Sequence, residues 1–307
     1  MKIIYFGTSA FAVPCLIKLH EAGHTVARCV TQPDRPKGRG LKPEPSPVKE
    51  AARRLGIPLA QPERLTQEAL GGCDADVGVV AAYGQLIRRD VLDHPRLGIL
   101  GVHPSLLPKY RGAAPIAWPI LNGEAITGTT IFRLNERLDA GEILLQEETP
   151  IEPRDTTATL GERLAPFSAD ALLAALRLLE SGEKIFRPQD ESLATFAPKF
   201  SKMDGKLDWE TDAAALERRV RALDPWPGAW MLFAGETVKV WRSSVAERSA
   251  ASSPPGKILS VDRNGILVSA GEGALQLQEL QPAGGKRMPA DAFARGHAIA
   301  AGQSFGT

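Results

Sequence analysis

One histidine in this chain stands where an imidazole could be put to work. His103 ends an apolar run over residues 97–102. It is followed by Pro104-Ser105-Leu106-Leu107-Pro108-Lys109-Tyr110-Arg111-Gly112-Ala113-Ala114-Pro115, a loop stiffened by three prolines. Imidazole is the side chain that exchanges a proton most readily near neutral pH. At the end of a strand, backed by a rigid loop, it would stay in one place. The other histidines, His20, His24, His94 and His297, have no such setting. The natural partner is a carboxylate, which fixes the tautomer of a neighbouring ring and steadies its charged form. Asp139, in Arg137-Leu138-Asp139-Ala140-Gly141-Glu142, sits in a turn before an apolar segment. An aspartate ahead of a glycine also closes turns through its own side chain, and both uses stay open here.

These two residues need a scaffold. Residues 2–6 read as a buried strand, 10–21 as an amphipathic helix ended by Gly23, and 25–30 as a second strand. That β-turn-α-β opening predicts an α/β fold with a doubly wound, Rossmann-like sheet, whose ligands lie beyond the carboxyl ends of the strands. Residues 76–81 and 97–103 supply further strands, and 127–134 and 142–149 two more. Residues 47–55 and 115–121 read as helices, with Pro119 awkward in the second. A long amphipathic helix covers 156–180, with a kink or split expected at Pro166. Residues 31–47 hold five prolines and two glycines and read as a loop. Residues 188–208 read as an ordered linker and 213–222 as a helix. After Trp226, short strands at 237–243, 256–260, 266–269 and 274–280 alternate with turn residues, which predicts a small OB-like β-barrel. The expected division is a catalytic domain over 1–188, a linker over 189–207 and a barrel domain over 208–307.

Composition narrows the classes of function. The chain has 307 residues, is 43% hydrophobic and 24% charged, and sets 37 Lys+Arg against 36 Asp+Glu. A net charge of +1 excludes a uniformly basic nucleic-acid binder but not a local basic patch. Three cysteines without CxxC spacing argue against a disulfide framework, and no His/Cys cluster has metal spacing, so no metal is expected. Neither a phosphate-binding loop nor a dinucleotide glycine fingerprint is present. No segment reads as a signal peptide or a membrane span, so a cytoplasmic protein without membrane contact is expected; a monomer is the expected state.

Six segments, in order, resemble one family. They are Gly7-Thr8, Thr31-Gln32-Pro33-Asp34-Arg35-Pro36-Lys37-Gly38-Arg39-Gly40, Ala81-Ala82-Tyr83-Gly84, the run from His103 to Pro115, Leu138-Asp139-Ala140-Gly141 and Asp224-Pro225-Trp226-Pro227. Together they are similar to the motifs of the methionyl-tRNA formyltransferases, over nearly the whole chain. The resemblance implies transfer of a formyl group from 10-formyltetrahydrofolate to the α-amino group of methionine on initiator tRNA. It makes His103, oriented by Asp139, the proton-handling pair. It assigns the folate to Ser105, Leu106, Leu107 and Pro108 and to the loop Tyr83, Gly84, Gln85, Leu86 and Ile87. In the 31–47 loop Arg35, Lys37, Arg39 and Lys42 can neutralise tRNA phosphates, and the resemblance implies that Arg39 meets the acceptor end. Barrel residues Lys239, Arg242, Lys257, Lys286 and Arg287 add a second basic surface.

One position departs from the pattern. The family's third catalytic residue is an asparagine two places before the histidine, where this chain has Gly101. An oxyanion donor of that kind is worth about 10²–10³ in rate. The favoured expectation is a substitute donor, water or a side chain such as Asn135 or Gln85, with Gly101→Asn raising kcat. The competing readings are an N-formyltransferase for an amino-sugar nucleotide and a catalytically impaired tRNA- or folate-binding relative.

Overall fold

The computed structural model describes residues 1–37, 42–182, 185–246 and 253–306. Within it the chain forms two compact units. The first comprises Met1–Pro115, Ile126–Pro150 and Gly161–Ala197. The second comprises Ile116–Ala125, Ile151–Leu160 and Pro198–Thr307.

The first unit is built on a seven-stranded sheet. In chain order its strands are β1 (Lys2–Gly7), β2 (Thr25–Val30), the hairpin β3 (Arg35–Lys37) and β4 (Lys42–Glu44), β5 (Leu59–Ala60), β6 (Val77–Ala81), β7 (Ile99–His103), the short β8 (Arg111–Gly112), β9 (Ile126–Arg133) and β10 (Ile143–Pro150). The sheet runs β10-β9-β7-β6-β1-β2-β5. β5, β2, β1, β6 and β7 are parallel, and β9 and β10 join antiparallel at one edge. The strand order reverses at β1, between β6 and β2, which opens a crevice at the carboxyl ends. Alternating residues of each strand bury on opposite faces. Ile3 and Tyr5 of β1 pack with α1 (Val13–Glu21), α2 (Pro47–Arg54) and the long helix further on. Ile4 and Phe6 pack against Leu70, Tyr83 and α3 (Arg89–Leu92). This is the doubly wound arrangement expected from the opening β-α-β pattern.

Several elements differ from the sequence expectation. The 31–47 loop contains the β3–β4 hairpin, in register Arg35↔Glu44 and Lys37↔Lys42. Lys49, buried at 6% exposure, ties its base by donating to both carboxylate oxygens of Asp34, at 2.8 and 2.6 Å. Pro119 is accommodated because it is the third residue of α4 (Ala117–Leu121), where the missing N–H has no helical partner to lose. Pro166 neither splits nor ends α5 (Thr157–Ser181), which runs as one helix. Leu160, Leu164, Ala169, Leu172, Ala175, Leu176 and Leu179 are all buried, and that stripe outweighs the loss of one hydrogen bond. Within 188–208, β11 (Phe196–Ala197) pairs with β8.

In the second unit, α6 (Ala213–Ala222) packs on a sheet of β12 (Ala229–Phe233), β13 (Glu236–Val245), β14 (Ile258–Asp262), β15 (Gly265–Ser269) and β16 (Ala274–Pro282). The order is β12-β13-β16-β15-β14, with β17 (Met288–Pro289) beside β16. The two edge strands do not pair with each other. The C-terminal tail joins them, Ser304 bridging Lys257 and Gly306 bridging Leu232, so the sheet closes as a small barrel. Trp209, Leu216, Met231, Val240, Leu277 and Phe305 fill it, together with Phe293 of α7 (Ala290–Gly296). β12 and α7 were not legible in the sequence. β12 is a five-residue apolar run with no alternation, and α7 is capped by Pro289, which makes no side-chain capping bond.

Candidate active site

β7 ends at His103 because the following loop turns back across the carboxyl end of the sheet. The ring is buried at 6% exposure, edge-on to Phe132 with centroids 6.4 Å apart. Its Nε2 lies 2.9 Å from the Tyr110 carbonyl oxygen. A carbonyl can only accept, so Nε2 carries the proton and donates. In the neutral ring the lone pair is then on Nδ1, which faces Asp139 Oδ2 at 3.7 Å. That distance suits an ion pair and exceeds a hydrogen bond. The sequence reading has Asp139 orient the ring. In the structure the orienting hydrogen bond comes from Tyr110, and Asp139 supplies charge beside the basic nitrogen.

Backbone strain gathers here. Among the described residues five non-glycines have positive φ, and three of them, Ala82 (44°), Tyr110 (65°) and Asp139 (47°), border the crevice. Such conformations cost of order 1–3 kcal/mol each and persist where surrounding contacts hold them. Tyr110 is held by its N–H donating to Thr195 Oγ1 and by Arg111 N donating to the Thr195 carbonyl. The Asp139 carboxylate accepts from Gly112 N at 2.8 Å. Gly141, two residues on, has no room for a Cβ, which would collide with the Arg133 carbonyl oxygen.

The position two residues before His103, where the resemblance implies an asparagine, is not open. Gly101 is paired across the ladder with Phe132. A Cβ on Gly101 would lie 2.5 Å from Phe132 Cε1 and 2.5 Å from Leu134 Cδ1. The aromatic ring lies over the glycine, so the space holds apolar carbon. Of the two expected side-chain substitutes, Gln85 is engaged through both ends of its amide and Asn135 through its oxygen. Asn135 Oδ1 accepts from Arg137 N. Gln85 accepts from Leu65 N and donates to the Pro62 carbonyl.

The expected folate residues fall into two groups, both in the first unit. Ser105 is buried, and its hydroxyl donates to the Lys109 carbonyl at 2.8 Å. Leu107 N donates to Thr130 Oγ1, while the Leu107 carbonyl accepts from Gln146 Nε2 at 2.7 Å. The Leu107–Pro108 peptide is cis. Leu106 is half-buried where Leu107 is buried. In the other group the Tyr83 carbonyl accepts from Thr8 Oγ1 and Gln32 Nε2, both at 2.8 Å, which fastens the loop after β6 to the ends of β1 and β2. The Tyr83 phenol is buried against Phe6, and desolvation pushes its pKa up to about 12. Gly84 takes φ 84°. Ile87 is buried, whereas Leu86 is 74% exposed.

Among the described residues, the basic residues expected to meet tRNA stand on the β3–β4 hairpin. Arg35 is exposed, 3.8 Å from Glu63. Lys37 and Lys42 are register partners in the hairpin, and Arg39 lies outside the described residues. In the barrel, Arg287 stacks on Trp241 at 3.6 Å and Lys239 donates to the Pro227 carbonyl, so both already have partners. Arg111, Gln189, Thr130 and Gln146 were missed by sequence reasoning. The only sequence signal for Thr130 is its place among Thr127 and Thr129 in an otherwise apolar strand.

The family described as Formyl transferase matches residues 1–176, and Formyl transferase, C-terminal domain, matches residues 199–298. The chain belongs to the methionyl-tRNA formyltransferase family. It is 46% identical over 310 residues to the methionyl-tRNA formyltransferase of Solibacter usitatus, covering 100% of this chain and 99% of that one. It is equally similar to the enzyme of Thiobacillus denitrificans, with full coverage of both chains. Among solved structures, HypX from Aquifex aeolicus in complex with tetrahydrofolic acid shares the fold at TM-score 0.66 and 21% identity, over 96% of this chain and 47% of that one. An N-formyltransferase from Helicobacter canadensis, solved with folinic acid and dTDP-3-aminofucose, shares it at TM-score 0.69 and 14% identity, over 90% and 99%.

Proposed function

We propose that this chain formylates the α-amino group of methionine on initiator tRNA, for translation initiation, with 10-formyltetrahydrofolate as donor. The observation that carries the reading is the meeting of His103 and Asp139 at the crevice of a chain whose two halves both match the family. The amine attacks the formyl carbon and a C–N bond forms. The bond from that carbon to N10 of the folate breaks, and the proton the amine loses is balanced by one gained at N10. His103 Nδ1 is the base placed to take the proton, and Asp139 offsets the imidazolium that results.

The residues present suit a folate. A pterin is flat and has an edge of donors and acceptors, so backbone groups on fixed loops can read it while apolar side chains cover its faces. The 105–108 loop is pinned through Thr130 and Gln146, and the 83–87 loop leaves the Leu86 side chain in solvent. Arg35, Lys37 and Lys42 of the hairpin, with Arg39 between them in the sequence, supply charge for the acceptor end of the tRNA. Arg242, Lys257 and Lys286 do so on the barrel. In this reading residues 1–188 are catalytic, 208–307 bind tRNA, and the enzyme works as a cytoplasmic monomer. Turnover is slow, because apolar carbon stands where an amide donor would face the oxyanion.

The test is single-turnover formylation of charged initiator tRNA at saturating donor, read as formyl-methionine released by base. Formation of formyl-methionine supports the reading. No product with enzyme in excess over tRNA, or preferential formylation of a dTDP-amino sugar in direct competition, overturns it.

A further inference from the structure

Arg111 is buried at 3% exposure, and a buried guanidinium demands partners. It has two. Its NH1 and NH2 donate to the two Glu191 carboxylate oxygens at 3.0 and 3.1 Å, and its Nε and NH2 donate to Gln189 Oε1 at 3.1 and 2.7 Å. Because Gln189 Oε1 must face those donors, its amide is not free to flip. Its Nε2 is therefore turned the other way, where it donates to the Asp139 and Gly141 carbonyls, both at 2.8 Å. These are the flanks of the turn that holds Asp139 at φ 47°. The side chain of that same Asp139 accepts from Gly112, the residue after Arg111.

We propose that Gln189, locked by Arg111, is a positioning residue for the reaction: its amide clamps the strained turn and so aims the Asp139 carboxylate at His103. Gln189 donates to neither the imidazole nor the Asp139 carboxylate. It acts on the Asp139 backbone, and Arg111 acts on Gln189. A half-buried carboxylate on a positive-φ residue has a poor local reason to stay put, and two charge-ordered hydrogen bonds supply one. This rests on the reading of His103 and Asp139 as the proton-handling pair.

The test uses the full-length protein. Gln189→Met keeps the side-chain length and removes both donors. Formylation kcat falls at least about tenfold with KM for tRNA and donor held within about twofold, the signature of a lost geometry rather than lost binding. In an Asp139→Asn background the same substitution costs little, because the group it aims is already changed. Gln189→Glu, which keeps the acceptor for Arg111 but loses both donors, behaves like Gln189→Met and serves in its place where that variant does not fold. Amide hydrogen exchange gives a readout that needs no activity: the Gly112 amide loses about tenfold protection in either variant. Unchanged kcat overturns the proposal, and so does a full additional loss in the Asp139→Asn background. If the parent does not formylate tRNA, the functional reading fails by itself. The clamp is then judged by exchange alone, and unchanged Gly112 protection overturns it.

Discussion

Putting the missing amide back should fail, and the structure says why. Gly101→Asn places a Cβ 2.5 Å from Phe132 Cε1 and 2.7 Å from Phe132 Cζ, as well as 2.5 Å from Leu134 Cδ1. Carbon atoms settle about 3.5–4.0 Å apart, so both side chains must move by roughly 1 Å before the amide itself is placed. Leu134 is half-buried and can turn its terminal methyl. Phe132 is 3% exposed, and its ring is the surface on which His103 rests. Overpacking of this kind costs about 1–3 kcal/mol, which for a chain of 307 residues lowers Tm by about 2–5 °C. An oxyanion donor in place would be worth about 10²–10³ in kcat, but the ring stands in the way and its displacement tilts the imidazole. The single variant therefore shows no gain in kcat and a measurable loss of Tm. Gly101→Asn combined with Phe132→Leu, compared with Phe132→Leu alone, gains at least about tenfold, since the smaller side chain frees the space. The assay is single-turnover formylation with thermal unfolding in parallel. A rise of a hundredfold in the single variant with Tm unchanged would refute the account of a filled position.

Four further outcomes follow from the same geometry. His103→Ala and Asp139→Ala each lower single-turnover formylation by at least about 10²-fold, the usual range for a lost acid–base group; parent-like rates in both would remove the basis of the mechanism. Thr130→Val strands the Leu107 N–H and costs about 1–3 kcal/mol, seen as a lower urea midpoint together with a raised KM for the folate donor. Binding of initiator tRNA weakens steeply with salt, with a slope of log Kd set by the phosphates neutralised, and Arg35→Ala makes that slope shallower; a slope unchanged by the variant removes Arg35 from the interface. Burial pushes the Cys15 and Cys29 thiols up to about 12. The native fold therefore keeps protons that the unfolded chain releases near pH 9. Their contribution to stability is full below pH 9 and is lost as pH rises toward 12. At pH 8 an alkylating reagent labels half-buried Cys73 in the native protein and reaches the other two only after unfolding.

How much of this could be read from the sequence depended on the range of the interaction involved. Strands such as β1, β2 and β7 are set by short apolar runs and their stops, and they stood out. So did His103, whose strand-end position is a local property. Asp139 was visible as a turn carboxylate. That its carboxylate lies beside the imidazole depends on β9 lying against β7, which no local pattern reports. Tyr110 was invisible because its role is played by a backbone carbonyl, for which any residue type would serve.

Gly101 shows the limit most sharply. As a letter, a glycine in place of an asparagine reads as an empty slot waiting for water or a borrowed side chain. In the sheet, a glycine opposite a phenylalanine invites the ring to lie across it, because an aromatic face on a cross-strand glycine buries area that the missing Cβ would otherwise cover. The substitution therefore removed a donor and, through its neighbour on β9, closed the space behind it. Gly101 and Phe132, on adjacent strands, act as one unit, and the glycine is misread alone. Any attempt to restore the donor has to treat Gly101 and Phe132 as a pair.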